Sequence, residues 1–201
     1  MYLNNANFYA HIAARFPATR SDVCISTAQG DCYSWDDVDH ASAKIANLLL
    51  NLQLPAGARI AVQVEHSPEA LLLQLAILRA GLVLMPLDIS IQAVEMRTII
   101  TQHQPAVVVC SPKNFGWLGQ LAFQLGSTHV FTLGNSMPNH GSLLLRATPL
   151  SSQLSTVVTA PDALAYIDEN GQQFSHVELC ADLDATLVRF QHQTGYTLAL
   201  A

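Results

Sequence analysis

The stretch from Arg59 to Ser90 constrains the fold of this chain more than any other part of the sequence. It begins with a run rich in Val and Ile, Arg59 to Val64, which is typical of a buried strand. Ser67-Pro68-Glu69 predicts a helix start, because Ser caps free backbone N–H groups, Pro fits the first helical position and Glu favours the positive end of the helix dipole. Gly81 ends this helix, and Leu82 to Leu87 predicts a second strand. Strand, helix and strand in this order predict two parallel strands joined by a right-handed crossover.

Strand and helix signals alternate on both sides of this unit. Before it, the sequence predicts a helix over Asn7–Phe16, a hairpin of Val23–Ser26 and Cys32–Ser34, and a helix that begins with a Ser34–Asp37 capping box. The apolar face of this last helix contains Val38, Ala41, Ile45, Leu48, Leu49 and Leu52. After it, the sequence predicts a helix over Val94–His103 with Val94, Ile99 and Ile100 apolar, a strand over Ala106–Cys110, a helix over Phe115–Leu125 and a strand over Thr128–Leu133. The sequence therefore predicts an α/β fold: a mostly parallel sheet with helices on both faces, preceded by a β-hairpin and a helix.

Three runs of residues carry a family resemblance. Val62–Ala70, Leu78–Gly81 and Met85–Asp88 resemble, in that order, the N-terminal subdomain of the adenylate-forming acyl-activating enzymes, the superfamily of acyl-CoA synthetases and AMP-dependent ligases. The first run is most similar to malonyl-CoA synthetases. The resemblance covers Phe8 to Pro112 well and is looser afterwards. It implies the same α/β fold and a family chemistry that uses ATP, magnesium and coenzyme A.

The chain divides into a first subdomain over 1–134, a connection over 135–160 and a final segment over 161–201. In the final segment, Gly171 to Leu179 mirrors Gly30 to Val38, with glycine, aromatic, serine and acidic positions in the same order. This echo predicts a partial repeat of the N-terminal unit. The repeat has a hairpin, a helix over Ser175–Phe190 that carries Leu179, Leu183 and Leu187, and a closing strand over Tyr196–Leu200.

A second interpretation of the final segment comes from the resemblance and stays open. In the family, a stretch like Asp162–Ile167 precedes a Ser/Thr/Gly-rich phosphate loop, and a His-x-x-Leu like His176–Leu179 follows it. Here only Asp168 to Ser175 lies between the two. The final segment is thus either a partial repeat or an eroded phosphate-loop region.

Both interpretations predict that the phosphate-binding chemistry is missing. A phosphate loop needs several glycines, so that backbone N–H groups converge on the anion, and usually a Lys. Asp168 to Gln173 contains one Gly, no Lys and two carboxylates, which would repel a triphosphate. The family's later motifs and its catalytic Lys are expected beyond residue 201. No catalytic residue is assigned, and no cofactor is expected for this chain alone.

Glu65, His66 and Asp88 form the candidate binding site. Glu65 and His66 follow the first central strand and Asp88 follows the second, where the ligands of open α/β sheets gather. The alternative is that Glu65 and His66 are a polar strand end and Asp88 a turn residue. Asp36, Asp37, Asp39 and His40 crowd one helix start and favour its dipole, so no metal site is predicted.

Composition excludes several classes of partner. The net charge of −6 argues against nucleic acid, since phosphate binding needs clustered Lys and Arg. No apolar run reaches the roughly 18 residues of a membrane span. Met1 to Ala14 lacks a secretion signal, and the four cysteines form no C-x-x-C pair. We therefore expect a cytoplasmic chain with reduced thiols, no nucleic-acid partner and no membrane partner.

The matched scaffold and the missing chemistry predict a truncated or degenerate acyl-CoA-synthetase-like protein, inactive alone, with an interaction or scaffold role. The alternative is the N-terminal part of an AMP-forming carboxylate–CoA ligase that acts on malonate or a similar short acid. Leu71–Leu78 and Ala106–Cys110 are almost wholly apolar and need cover from two sides. This predicts self-association or a protein partner over an apolar face, with 161–201 covering part of it.

Overall fold

The structure is a computed structural model that describes residues 5–134 and 141–190. Helices and strands alternate along most of this length. The elements are α1 (Phe8–Ala13), β1 (Val23–Ser26), β2 (Cys32–Ser34), α2 (Trp35–Asn51), β3 (Arg59–Gln63), α3 (Pro68–Arg79), β4 (Val83–Pro86), α4 (Ala93–His103), β5 (Val107–Cys110), α5 (Phe115–Gln124), β6 (His129–Thr132), α6 (Leu143–Ala147), β7 (Leu164–Ile167), β8 (Gln173–Ser175) and α7 (His176–Phe190), with a short 3₁₀ turn at Pro112–Asn114 before α5.

One six-stranded sheet forms the centre of the fold, in the order β6-β5-β3-β4-β7-β8. The pairs β3–β4, β3–β5, β5–β6 and β4–β7 are parallel, and only β7–β8 is antiparallel. One hydrophobic cluster joins the sheet to α1, α2, α3 and α6, and a second joins it to α4 and α5. The predicted α/β fold, mostly parallel with helices on both faces, is confirmed.

The local signals around α3 act as the sequence predicts. The Ser67 side chain accepts a hydrogen bond from the Ala70 amide, and Pro68 opens the helix. Gly81 follows the helix with φ +68°, a backbone conformation that glycine adopts without strain. The capping box of α2 is also present, because Ser34 and Asp37 exchange side-chain-to-backbone hydrogen bonds.

Two details of the predicted helices are wrong. The apolar face of α4 is predicted to contain Val94, Ile99 and Ile100; Ile100 is buried and Ile99 packs on the core, but Val94 is 84% exposed and Met96 is buried. Val94 lies in the first turn of α4 and lines a groove toward α5. Helix α1 ends at Ala13, and Phe16 lies beyond it with its ring against Trp35, 4.7 Å between centroids. The predicted closing strand over 196–200 lies outside the described residues.

The two apolar stretches that the sequence singled out are covered within the chain. Helix α3 packs against α2 and α1, and β5 lies between β3 and β6 with all four residues fully buried. In the described part of 161–201, α7 packs on α1, β7 and β8, and β7 pairs with β4 of the central sheet. No helix in the described ranges combines the length and apolarity that a membrane crossing requires.

The hairpin β7–β8 has the same pairing pattern as β1–β2. Val23↔Ser34, Ile25↔Tyr33 and Ser26↔Cys32 in the first hairpin correspond to Leu164↔Ser175, Tyr166↔Phe174 and Ile167↔Gln173 in the second, and both registers shift after the first pair. Each hairpin leads directly into a helix whose start is capped by its own Ser, through Asp37 in α2 and Glu178 in α7. The two hairpins differ in position, because β1–β2 forms a separate sheet and β7–β8 joins the central one.

The segment between α6 and β7 is fastened to the end of α3 by Arg79. The Arg79 guanidinium donates to the Asp39 carboxylate at 2.7 Å and to the Tyr9 hydroxyl at 3.0 Å. It also donates to the Leu154 carbonyl, and the Arg79 carbonyl accepts from the Val157 amide at 3.0 Å. This residue is 5% exposed and links α1, α2, α3 and the connection. Arg79 therefore holds the segment between α6 and β7 against the core at Leu154 and Val157.

Candidate functional site

Two cavities open beyond the carboxyl ends of the parallel strands. The first, about 390 Å³, lies past β3, β5 and β6, and the second, about 360 Å³, lies past β3, β4 and β7. The first is lined by Val64, Glu65, His66, Ser67, Glu69, Ser111, Pro112, Lys113, Leu133, Gly134 and Leu144. The second is lined by Val62, Val64, Glu65, His66, Ala70, Gln74, Pro86, Leu87, Asp88, Ile89, Tyr166, Asp168 and Glu169. Residues after β3 therefore form the wall that the two cavities share.

The structure brings the three candidate residues to one place. Glu65, His66 and Asp88 all line the second cavity, and all three are exposed. They lie together because β3 and β4 are adjacent and parallel, so that the residues after each strand meet at one edge of the sheet. Their role in ligand binding stays a prediction.

Glu65 is paired with a residue that the sequence analysis did not select. Its carboxylate accepts a hydrogen bond from the Lys113 ammonium at 2.7 Å, and both side chains are well exposed. This hydrogen bond, helped by the positive charge of Lys113, lowers the pKa of Glu65. Lys113 follows β5 in the 3₁₀ turn, so the pair joins the ends of β3 and β5. Its sequence signal is weak, a single Lys after a buried strand.

Asp88 has the turn geometry that was the alternative to a binding role. Its carboxylate accepts the Ser90 amide at 2.7 Å, which closes an Asx turn at the end of β4. Hydrogen bonding from Ser90 lowers the pKa of Asp88, with a smaller contribution from the nearby His66. The carboxylate is thus ionised at neutral pH, and it still faces the second cavity.

Gln63 positions the loops around the site and was missed by the sequence analysis. Its side chain is fully buried and donates to the carbonyls of Asp88 and Ile91, each at 3.1 Å. Its amide oxygen accepts from Asn114 at 3.2 Å. A lone Gln in the otherwise apolar strand β3 was the available signal. It ties the loop after β4 and the turn after β5 to the central strand.

The turn between β7 and β8 binds its own amides. The Asp168 carboxylate accepts the amides of Asn170 and Gln172, at 2.9 and 2.7 Å. The Asp168 carbonyl accepts the Gly171 amide at 3.0 Å. Three successive N–H groups of the turn are therefore satisfied within the turn. Asp168 and Glu169 also bring two carboxylates to the second cavity.

Within the described ranges, no group of three or more His, Cys, Asp or Glu side chains is arranged to hold a metal ion. The acidic residues at the start of α2 have other partners. Asp37 caps the helix through Ser34, and Asp39 pairs with Arg79.

The lining of the second cavity includes four carboxylates, Glu65, Asp88, Asp168 and Glu169, and one imidazole, His66. This lining favours cationic or neutral groups over polyanions.

Comparisons with known proteins give a consistent family assignment. The profile of the family described as "AMP-binding enzyme" matches residues 10–184. The apo structure of MatB from Rhodopseudomonas palustris superposes with a TM-score of 0.82 and 34% identity, covering 92% of this chain and 37% of MatB. The ATP-bound structure of MatB gives 0.83 and 33% identity, covering 94% and 38%.

A curated relative is much longer than this chain. The hybrid PKS-NRPS synthetase pydA of Acremonium sp is 31% identical over 101 residues, which are 50% of this chain and 2% of that protein. The chain also spans less than two fifths of the MatB structures. The superposition on MatB shows that this chain has the fold of the matching part of an acyl-CoA ligase. The family profile matches most of this chain. The chain therefore belongs to the AMP-binding enzyme family, whose adenylate-forming members include the acyl-CoA synthetases.

Proposed function

We propose that this chain is a non-catalytic member of the family, a scaffold that acts through interaction and binds no nucleotide by itself. The observation that carries the proposal is the turn between β7 and β8. The family profile matches residues 10–184, a range that includes this turn, which supports the view that 161–190 stands where the family has its phosphate loop. The shared register of β7–β8 and β1–β2 supports the repeat interpretation. Either origin gives the same turn.

The hydrogen bonds of the turn argue against phosphate binding. A phosphate loop offers free backbone N–H groups to the anion. Here Asp168 accepts the amides of Asn170, Gly171 and Gln172. A phosphate would have to displace a carboxylate that is covalently part of the turn, and it would meet Glu169 beside it. The loss of the hydrogen bonds to Asp168 and the negative charge of Glu169 both oppose nucleotide binding.

We expect no pyrophosphate release above the enzyme-free rate when the chain is incubated with ATP, magnesium, malonate and coenzyme A. MatB from Rhodopseudomonas palustris serves as the positive control under the same conditions. A thermal-shift measurement with millimolar ATP separates binding from catalysis, because a ligand that binds only the folded state raises the melting temperature. Sustained turnover, or a clear ATP-dependent shift, would contradict the proposal.

A second candidate function rests on the similarity to MatB, 33–34% identity over more than nine tenths of the chain. It makes the chain the N-terminal part of an AMP-forming carboxylate–CoA ligase that acts on malonate or a similar short acid, with ATP, magnesium and coenzyme A bound by the complete enzyme. The sequence encoded downstream of Ala201 distinguishes the two. An in-frame Gly-rich loop and a later catalytic Lys would favour the ligase.

The interaction role requires a partner, and we propose a protein partner or a second copy. Val94 on α4 and Phe123 on α5 are 84% and 56% exposed, and Trp117 and Leu121 line a groove between these helices. Sedimentation velocity at micromolar concentration is expected to show species larger than a monomer. Val94→Glu is expected to shift them toward monomer, because a charge replaces an apolar contact. A monomer across the whole concentration range would contradict self-association.

A further inference from the structure

His176 is a buried imidazole at the contact between the first and last helices of the described fold. It is the first residue of α7 and has no solvent-exposed surface. Its Nδ1 accepts the backbone amide of Phe8, in α1, at 3.1 Å. A nitrogen that accepts an N–H must carry a lone pair, so this bond exists only while the imidazole is neutral. Protonation of His176 would therefore remove the bond.

The surroundings of His176 oppose its protonation. Burial lowers the pKa of His176 from 6.5 to about 4. Its Nε2 is buried and has no hydrogen-bond partner among the described residues, so no described acceptor stabilises an imidazolium there. A group whose pKa is lower in the folded state stabilises that state fully above its unfolded pKa, and the contribution is lost as the pH falls toward the folded value. The contact thus weakens below about pH 6.5.

Helix α1 is tied to the core independently of α7. The Asn7 side chain donates to the carbonyls of Leu78 and Val157, at 2.8 and 3.0 Å. The Tyr9 hydroxyl donates to Asp39 at 2.7 Å. These bonds involve no group of α7. If the contact between the helices breaks, α1 is expected to stay on the core.

Helix α7 and its hairpin β7–β8 make fewer hydrogen bonds and ion pairs to the rest of the described fold. Strand β7 pairs with β4 through a single register pair, Leu84↔Tyr166. Among the described side chains, the polar contacts between α1 and α7 other than that of His176 involve Asp184, which binds His11 at 2.8 Å and Arg15 at 2.6 Å.

The contact contains other titratable groups among the described residues. They are His11 on α1, Arg15 just after it, Glu178, Cys180 and Asp184 on α7, and Tyr166 on β7. Desolvation raises the pKa of Tyr166 and of Cys180, so both stay neutral in acid. Among the described groups of this contact, His176 combines a hydrogen bond that requires its neutral form with full burial.

We propose that the α1–α7 contact is an acid-sensitive clasp: protonation of His176 breaks its bond to the Phe8 amide and releases α7, with β7 and β8, from α1. The release also changes the site, because Tyr166, Asp168 and Glu169 form one wall of the second cavity. Acid thus opens that cavity on the β7 side. The clasp is independent of whether the chain is catalytic.

Amide hydrogen exchange of the full chain tests the clasp. After correction for the intrinsic effect of pH on exchange, amides of α7 are expected to exchange about 30-fold faster at pH 5.0 than at pH 7.5, because opening is coupled to uptake of one proton over this range. His176→Asn keeps an acceptor near the position of Nδ1 and cannot titrate, so the acceleration is expected to disappear. Amides of β3 and β5 in the same sample report on the core.

Two further readouts keep the test decisive. His11→Gln is the matched control, because it changes a histidine in the same contact that makes no bond to the Phe8 amide, and it is expected to keep the acceleration. In the unmodified chain, methanethiosulfonate labelling of Cys180, 1% exposed, is expected to rise at pH 5.0 relative to that of Cys110, which is buried in β5. Equal acceleration in α7 and the core, an unchanged acceleration in His176→Asn, or no rise in the labelling ratio would overturn the proposal.

Discussion

Replacing Arg79 with Met is expected to lower the free energy of unfolding by about 3 kcal/mol, the lower end of the cost of breaking a buried ion pair from one side, because Arg79 is buried but Asp39 is partly exposed. The Arg79 side chain is 6% exposed and pairs with the Asp39 carboxylate at 2.7 Å. Its guanidinium also lies over the Tyr9 ring, 4.8 Å from the centroid. Met fills a similar volume but leaves Asp39 without its cationic partner and the Leu154 carbonyl without its donor. Urea unfolding followed by circular dichroism measures the loss.

Arg97→Met is the matched control for this change. Arg97 is an exposed residue of α4, so its replacement is expected to alter the free energy of unfolding by no more than about 0.5 kcal/mol. Adding Asp39→Asn to Arg79→Met is expected to recover part of the loss, since it removes the unpaired carboxylate. Equal losses for Arg79→Met and Arg97→Met would show that the connection is held by other contacts.

Replacing Gly81 with Ala is expected to cost about 3 kcal/mol, in two parts. The first is the left-handed backbone, φ +68°, which costs a residue with a Cβ about 1 kcal/mol. The second is space, because a Cβ would lie 3.1 Å from Val157 Cγ1 and 3.2 Å from Thr159 Cγ2, and overpacking costs about 1–3 kcal/mol. Thermal and urea unfolding both measure the sum.

Gly57→Ala isolates the backbone part. Gly57 has φ +70°, and a Cβ there would meet no atom within 4 Å, so a loss of about 1 kcal/mol is expected. Val157→Ala in the Gly81→Ala background removes the crowding atom and is expected to make the second change less costly than it is alone. If Gly57→Ala and Gly81→Ala lower the free energy of unfolding equally, Val157 moves aside for the added Cβ without cost and the packing argument is wrong.

These two positions show what sequence reasoning could and could not reach. Gly81 was recognised as the end of α3, because a glycine after an apolar helix is a local signal. Its contact with Val157 could not be predicted, because the connection over 135–160 lacks the periodicity of a helix or a strand. No local signal indicated the partners of Arg79. Its partners Tyr9 and Leu154 lie 70 and 75 positions away in sequence.

The candidate site divides in the same way. Glu65, His66 and Asp88 were found because each follows a strand that the apolar pattern predicts, and parallel strands bring such ends together. Lys113 and Gln63 were missed. The first lies in a short turn, and the second belongs to an apolar strand whose partners are set by the order of β3, β4 and β5. That order depends on crossovers, which residue periodicity does not encode.

The two hairpins separate the contributions of sequence and tertiary structure most clearly. The sequence by itself determined that Gly30 and Gly171 each sit in a turn between strands and that Ser34 and Ser175 each cap a helix, because these hydrogen bonds join residues only a few positions apart. It could not determine that β1–β2 stays separate while β7–β8 completes the sheet on the edge of β4. Local signals in the two hairpins are the same. Their positions are decided by long-range contacts, such as the bond from Phe8 to His176 across 168 positions, which form only when the core is assembled.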